Sequence, residues 1–265
     1  IPNSGGRKGL AAAAVLGAIV GHPERELEVL ESATDEDRKW LGTLLEANFC
    51  TVELAEGVDN LYIEITATTD EHTAVVRIEN AHTNITYVSI DGNVISETIN
   101  EIKEAERSTC PMTFDSIYEF AKAGDISGIL PSIKQQVEYN TAISNEGLSN
   151  DYGANIGRLL LLDDETPSLE TKCKARAAAG SDARMSGCPL PVVICSGSGN
   201  QGLTVSMPII TTAEELGKTD EELYRALVFA NLLTLYVKSG IGKLSAYCGV
   251  VSAGIVSVAG IAFLK

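Results

Sequence analysis

Basic residues are scarce in this sequence relative to acidic ones. It contains 20 lysines and arginines against 36 aspartates and glutamates, which gives a formal net charge of −16 at pH 7. A field of that sign repels phosphate backbones and anionic membranes. No basic run interleaved with aromatic residues offsets it. We therefore predict no nucleic-acid partner and no membrane partner.

Cysteine is also sparse. The six cysteines are scattered along 265 residues, which disfavours a disulfide-stapled secreted fold. No signal peptide opens the chain, so we expect a cytoplasmic protein. The sequence starts without methionine and stops inside an apolar run. We therefore expect a core fragment of a longer protein, trimmed at both ends.

Long apolar runs are confined to two segments rich in small residues, 9–20 and 244–264. The second contains 21 residues without a charge, which is just long enough to span a bilayer. Ten of these are Gly, Ala or Ser, which contribute little to insertion and let neighbouring helices approach closely. A buried helix is therefore the prediction, and a transmembrane span is the alternative.

Helical periodicity covers most of the chain. Residues 35–46 follow a helical pattern, with Thr34 or Asp35 as the N-cap. The pattern resumes at Thr113. We expect Pro131 to interrupt one of the later helices and residues 145–150 to form a polar loop.

The sequence pattern changes between residues 50 and 99, where runs of Val, Ile, Thr and Tyr partly alternate with polar residues. Asp91-Gly92 separates two of these runs and indicates a hairpin. We therefore predict an α+β fold. A mostly helical body, 1–49 and 100–265, carries an inserted antiparallel β-meander module at 50–99.

The glycines Gly197, Gly199 and Gly202 spell G-x-G-x-x-G, the spacing of a dinucleotide-binding turn. Such a turn needs a strand before it and a helix that starts within it. The residues after Gly202 include the β-branched Thr204 and Val205 and are followed by Pro208, which predicts a poor helix start. The glycine loop also lacks the Gly-Lys-Ser/Thr ending of a phosphate loop, since Leu203 and Thr204 follow Gly202. The surroundings therefore disfavour a nucleotide site.

Two alternatives remain for this glycine loop. Glycines let several backbone N–H groups converge on an anion, and Ser196, Ser198, Asn200 and Gln201 add polar side chains. The loop would then suit the carboxylate and amine of a small amino acid. Equally, it can be a tight turn between buried helices. Spacing alone does not separate the two.

Five spaced motifs carry a resemblance that covers the chain in order. Together they resemble the L-cysteine desulfidase family, which is related to the alpha chain of iron–sulfur L-serine dehydratase. The motifs are Gly-Leu-Ala-Ala-Ala (9–13), His-Thr-Asn-Ile (82–85), Ser-Asp-Ala-Arg-Met (181–185), Ser-Gly-Ser-Gly-Asn-Gln-Gly (196–202) and Leu-Ser-Ala-Tyr-Cys-Gly (244–249).

The resemblance implies an oxygen-sensitive 4Fe-4S lyase of amino-acid catabolism that acts without pyridoxal phosphate. It would convert L-cysteine to pyruvate, ammonia and sulfide, with L-serine dehydratase as the alternative activity. A cluster iron acts as Lewis acid on the substrate while a base removes the α-proton. The family's base is a cysteine in a segment that this chain does not contain, so we assign no catalytic residue here.

Cys248 occupies the Cys-Gly position of the family's first cluster ligand. Without the resemblance we would predict an ordinary buried thiol. The family's other two ligands lie further downstream than this chain extends. One thiolate cannot hold such a cluster, so we expect the fragment to lack the cluster and to be inactive. Cys188 and Cys195 flank the glycine loop, and we take them as structural thiols that could also line the pocket.

The substrate-binding candidates follow from the loop and the resemblance together. By itself His82 is an ordinary turn residue, and only the family pattern makes it a pocket residue. The roles of Asp182 and Arg184 stay open: the alternatives are carboxylate binding, a structural ion pair and a helix cap. The substrate-binding candidates are Asn3, Ser4, His82, Thr83, Asn84, Ser196, Ser198, Gly199, Asn200 and Gln201.

A non-catalytic protein that binds a small molecule with the same fold is the competing hypothesis. It would keep the glycine loop and lack the cluster. The small-residue helices and an open meander edge are compatible with a homodimer and do not require one.

Overall fold

The computed structural model describes residues 1–59, 61–81, 83–98, 112–163, 165–241 and 248–265. Within these ranges the chain forms nine α-helices, one 3₁₀-helix and one four-stranded antiparallel sheet. This confirms the predicted α+β class. Contacts divide the chain into two compact units, Asn3–Cys110 and Pro111–Lys265. The predicted grouping of residues 1–49 with 100–265 stays a prediction.

The first unit opens with helices around a small apolar cluster. Thr34 caps the second α-helix: its hydroxyl accepts the N–H of Asp37 at 3.2 Å, and the Asp37 carboxylate accepts the N–H of Thr34 at 2.8 Å. This reciprocal box confirms Thr34 as the N-cap. The cluster contains Val15, Leu16, Ala33 and Leu41. The elements are α1 (Leu10–Val20), the 3₁₀-helix Pro23–Ser32 and α2 (Asp35–Glu46).

The sheet of the first unit is the predicted meander. Its strand order is β1-β2-β3-β4, and each strand runs antiparallel to its neighbours. Asp91 and Gly92 have φ values of 52° and 76°, the left-handed pair that a tight hairpin turn requires. The strands are β1 (Tyr62–Thr68), β2 (Thr73–Glu79), β3 (Ile85–Ile90) and β4 (Asn93–Glu97).

The second unit is helical, with one helix at its centre. That helix, α7, packs against α4, α6, α8 and α9 and buries Leu203, Met207 and Ile210. The helices are α3 (Phe114–Ala123), α4 (Leu130–Ser149), α5 (Ile156–Leu162), α6 (Leu169–Met185), α7 (Gly199–Leu216), α8 (Asp220–Ser239) and α9 (Gly249–Leu264).

Two predictions about α4 are wrong. Pro131 lies in the first turn. N–H groups of the first turn have no hydrogen-bond partner within the helix, so proline is tolerated there. Pro131 therefore lies at the start of the helix and does not interrupt it. Residues 145–149 are helical and not a loop. Gly147 lets α4 pack closely on α6 at this point, because a Cβ at position 147 would overlap the carbonyl group of Ala179 on α6. Close packing of α4 on α6 therefore outweighs the polar composition.

Apolar character is unevenly spread over the helices, but none of those in the described residues is both long and apolar enough to cross a membrane. The predicted apolar helix at 244–264 corresponds to α9, which begins at Gly249. Residues 244–247 lie outside the described residues.

Candidate functional site

The glycine loop forms a tight turn that leads directly into α7. Cys195 and Ser198 exchange two backbone hydrogen bonds, each of 3.2 Å. The two residues between them, Ser196 and Gly197, have φ values of 53° and 84°. Left-handed conformations at both positions close the turn. The first helical residue follows immediately as Gly199.

The glycine spacing reflects close packing. A Cβ at Gly202 would overlap the backbone oxygen of Val193, and one at Gly199 would overlap Nε of Arg184. The predicted poor helix start is wrong, because α7 runs from Gly199 through Pro208. Burial of its apolar residues outweighs their β-branching. The loop is thus a helix N-terminus, without the β-α-β context of a dinucleotide site.

Asn140 of α4 fixes the segment that precedes the loop. It is fully buried. Its Oδ1 accepts the N–H of Val193 at 2.9 Å, and its Nδ2 donates to the Val193 carbonyl at 3.3 Å and to Oγ of Ser206 at 3.0 Å. Asn140 therefore pairs with Val193 as a neighbouring strand would. Sequence reasoning missed this residue, since nothing distinguishes it within a helical run.

Gln201 brings the loop into contact with the start of α9. Only 6% of the residue is exposed, and a Cβ at Gly249 would overlap its carboxamide group. Its Oε1 is buried and accepts no hydrogen bond in the described structure. Gly249 was not predicted as a site residue, although it is the glycine of the Cys-Gly pair. The structure thus places an unpaired acceptor beside the residue that follows Cys248.

Cys248 is the N-cap residue of α9 and is exposed. Its side chain does not cap the helix. Of the predicted site residues, Ser198, Gly199, Asn200 and Gln201 lie at the start of α7, and the Gln201–Gly249 contact brings this turn to the position of Cys248.

The other described cysteines in the second unit are buried. Cys173, Cys188 and Cys195 are free thiols. Burial raises the pKa of Cys195 to about 11 and also raises the pKa of Cys173. Both shifts favour the neutral thiol over the thiolate that metals bind. This agrees with the expectation that Cys195 is structural.

A 4Fe-4S cluster needs three or four thiolates. No group of three or more His, Cys, Asp or Glu side chains that could hold a metal occurs in the described part of the chain. Cys110 lies outside that part. The described residues therefore do not fit a cluster by themselves, and Cys248 as its first ligand stays a prediction.

Asp182 and Arg184 do not pair with each other. The Asp182 carboxylate accepts the N–H of Ile156 at 2.9 Å, at the first residue of α5. Arg184 instead donates from Nη1 to Oδ1 of Asn200 at 3.1 Å. Of the alternatives left open, Asp182 therefore serves a helix N-terminus, and Arg184 faces the first turn of α7.

Asn3 and Ser4 belong to the first unit, where both side chains support the local backbone. Asn3 Nδ2 donates to the carbonyl groups of Leu30, Glu31 and Ala33 at 2.9–3.1 Å. The Ser4 hydroxyl donates to the carbonyls of Ile1 and Arg7 at 2.7 and 3.0 Å. These contacts favour structural roles, and substrate binding by either residue stays a prediction.

Thr83 and Asn84 lie at the turn between β2 and β3. Thr83 is exposed, and Asn84 Nδ2 donates to the Glu79 carbonyl at 2.8 Å. His82 lies outside the described residues. Their proposed contact with substrate likewise stays a prediction.

Comparison with known proteins gives a family match over most of the chain. A family model described as "Serine dehydratase alpha chain" matches residues 24–265. No solved structure matches the chain.

The chain is also similar to three relatives, each named as a UPF0597 protein. The Finegoldia magna protein is 44% identical over 268 residues, which are 100% of this chain and 64% of the relative. The Lachnoclostridium phytofermentans protein is 42% identical over 100% of this chain and 63% of its own length. The Desulfitobacterium hafniense protein is 41% identical over 100% of this chain and 62% of its own length. The chain thus spans less than two thirds of each.

Proposed function

The chain belongs to the serine dehydratase alpha chain family, and on that premise we propose that it is the core of a lyase acting on a small L-amino acid. The favoured substrate is L-cysteine, converted to pyruvate, ammonia and sulfide. Dehydration of L-serine is the alternative. Both reactions remove the α-proton and expel the β-substituent of the same kind of substrate. Both therefore need a site that holds an ammonium and a carboxylate close together.

The unpaired Oε1 of Gln201 carries this proposal. A buried acceptor without a partner costs about 1–3 kcal/mol, and the described residues supply no donor for it. An ammonium group has three N–H donors and no acceptor. The amino group of a substrate seated beside Gly249 would satisfy Oε1. We therefore take the substrate ammonium as the hydrogen-bond donor to Oε1.

Two helix N-termini meet at this position. Neither Ser198 before α7 nor Cys248 before α9 caps its helix with a side-chain hydrogen bond. The first-turn N–H groups of both helices therefore remain for another acceptor, apart from that of Val251, which donates to the Cys248 carbonyl at 3.1 Å. Helix N-termini also carry partial positive charge and favour anions. A substrate carboxylate fits this environment, and the ammonium fits Gln201.

The resemblance also assigns a 4Fe-4S cluster, which in such a lyase acts as Lewis acid. Because the described residues do not supply its thiolates, none of the contacts above depends on it. Cys248 as the first ligand of that cluster is part of this proposal.

A chimera provides the test. This chain would replace the matching stretch of the Finegoldia magna relative, which supplies the remainder of a full-length protein. The chimera would be purified without oxygen, incubated with iron and sulfide, and analysed for bound iron and for pyruvate formed from L-cysteine and from L-serine. We expect pyruvate from at least one of them, and the faster substrate identifies the leaving group.

The matched control compares Cys248→Ser with Cys50→Ser, since Cys50 lies in the first unit. We expect Cys248→Ser alone to lose bound iron and pyruvate formation together. A chimera that carries iron and sulfide and forms pyruvate from neither amino acid would refute the lyase. If that chimera still bound L-cysteine or L-serine, a small-molecule-binding protein of the same fold would be the correct description.

A further inference from the structure

Arg184 has no carboxylate partner among the described residues, although the protein is acidic. The chain contains 36 acidic residues, and most described arginines form an ion pair with one of them. Arg184 forms no such pair within the described ranges, and its neighbour Asp182 is engaged by Ile156. The paired arginines are Arg25, Arg38, Arg77, Arg158, Arg176 and Arg225.

The guanidinium group of Arg184 lies against the first residue of α7. Only a glycine at position 199 leaves room for its Nε. Nη1 donates to Oδ1 of Asn200 at 3.1 Å and contacts Sδ of Met185 at 3.6 Å. Among the described residues, Nε and Nη2 have no hydrogen-bond partner. These two nitrogens form the side of the guanidinium that binds a carboxylate in a bidentate pair.

The same helical turn contains the buried, unpaired Oε1 of Gln201. This is an observation independent of the arginine, and it also points to a ligand. The turn thus offers an unpaired cation at Gly199, an unpaired acceptor at Gln201, and first-turn N–H groups without a side-chain cap. A carboxylate and an ammonium on one carbon atom match that combination.

We propose that Arg184 binds the α-carboxylate of the substrate, and this rests on the proposed function. Arg184 would be the residue that selects amino acids over otherwise similar amines and amides. Asn200 would hold the guanidinium plane in place through Nη1, which leaves Nε and Nη2 directed to the carboxylate.

Calorimetric titration of the chain with L-serine and with L-serinamide tests this. The two ligands differ only in the carboxylate. Arg184→Gln should weaken L-serine binding by about tenfold or more, the loss of a charge-assisted bidentate pair. The affinity of Arg184→Gln for L-serinamide should fall much less, because the carboxamide is uncharged and cannot form the bidentate pair. Arg184→Lys keeps the charge without the fork and should lie between Arg184→Gln and the wild type.

Arg158→Gln is the matched control, because Arg158 on α5 forms an exposed ion pair with Asp151 and its replacement removes the same charge. It should leave both affinities unchanged. Equal binding of L-serine by the wild type and Arg184→Gln would overturn the assignment while leaving the proposed function intact. Equal weakening of both ligands would show that Arg184 is only structural. If the wild type bound neither L-serine nor L-serinamide, the proposed site and this inference would both be wrong.

Discussion

The carboxamide group of Gln201 lies directly against the backbone of Gly249, so the third residue of α7 touches the first residue of α9. Gly249 has no side chain, which is what allows this approach. The contact joins the glycine loop to the Cys-Gly pair, two motifs that are distant in the sequence. It also leaves Oε1 of Gln201 buried and without a donor in the described structure.

Replacing Gly249 by alanine should therefore destabilise the protein. The added methyl group would overlap the Gln201 carboxamide, and overpacking of this kind typically costs about 1–3 kcal/mol. Gly254→Ala is the matched control on the same helix, because its Cβ would meet only Thr204 Cγ2, at 4.0 Å. It should stabilise α9 by about 0.5–1 kcal/mol. Urea unfolding of both variants measures the difference, and equal stabilities would contradict the contact.

Local signals predicted the fold well where chemistry acts over a few residues. Thr34 with Asp37 forms a capping box, and Asp91-Gly92 forms a tight hairpin turn. Both depend on neighbouring residues alone. The meander followed from its alternating strands for the same reason.

Tertiary packing explains what the sequence did not reveal. Pro208 and the β-branched residues before it predicted a poor helix start, yet α7 continues through Pro208 because its flanking residues are buried on several sides. The pairing of Asn140 with Val193 and the contact of Gln201 with Gly249 join residues far apart in the chain. Neither leaves a local pattern, so the loop residues were predicted while their partners were not.

Replacing Asn140 should loosen the glycine loop. Asn140→Ala leaves the N–H and C=O of Val193 without their partner, and an unsatisfied buried group costs about 1–3 kcal/mol. Asn145→Ala, at an exposed position of the same helix, should be close to neutral. Urea unfolding gives the stabilities, and amide hydrogen exchange at Val193 reports on the loop. Unchanged exchange at Val193 in Asn140→Ala would refute the pairing.

The cysteines should differ in reactivity. The thiolate is the reactive form, and burial raises the pKa of Cys195 to about 11. Exposed Cys248 should react first with iodoacetamide, and Cys195 should react only when the protein unfolds. Peptide mass spectrometry after timed alkylation measures the order, with denatured protein as the control. Equal rates for Cys248 and Cys195 in the folded protein would show that Cys195 is accessible.

Acid should weaken the start of α8. The N–H of Thr219 and the ammonium of Lys218 lower the pKa of Glu222 from 4.5 to about 2. Because the pKa of Glu222 is lower in the folded protein, its carboxylate stabilises the fold at pH values above 4.5, the pKa in the unfolded chain. That stabilisation is lost as the pH falls from 4.5 toward about 2. Glu222→Gln should be less stable than the wild type at neutral pH, with the gap narrowing in acid.

Urea unfolding at neutral pH and at about pH 3 measures this narrowing. Glu119→Gln is the control, since Glu119 is exposed on α3 and forms no ion pair within the described ranges. A gap for Glu222→Gln that stays constant between the two pH values would contradict the predicted linkage.

Gln201→Leu should separate stability from function. Leucine is close to glutamine in size and removes an acceptor that has no partner, so the free protein should be at least as stable as the wild type. An amino-acid ligand would lose the acceptor for its ammonium group. Sites that bind ligands commonly show this opposition between stability and binding. Lower stability of Gln201→Leu would mean that Oε1 already has a partner in the free protein.

The most direct measurement is calorimetric titration of wild type and Gln201→Leu with L-serine and with L-glycerate, which has a hydroxyl in place of the ammonium. If Gln201 holds the substrate ammonium, Gln201→Leu binds L-serine about tenfold or more weakly and loses less affinity for L-glycerate, whose hydroxyl is a single neutral donor. Unchanged L-serine affinity in Gln201→Leu would contradict an amino-acid site between the starts of α7 and α9.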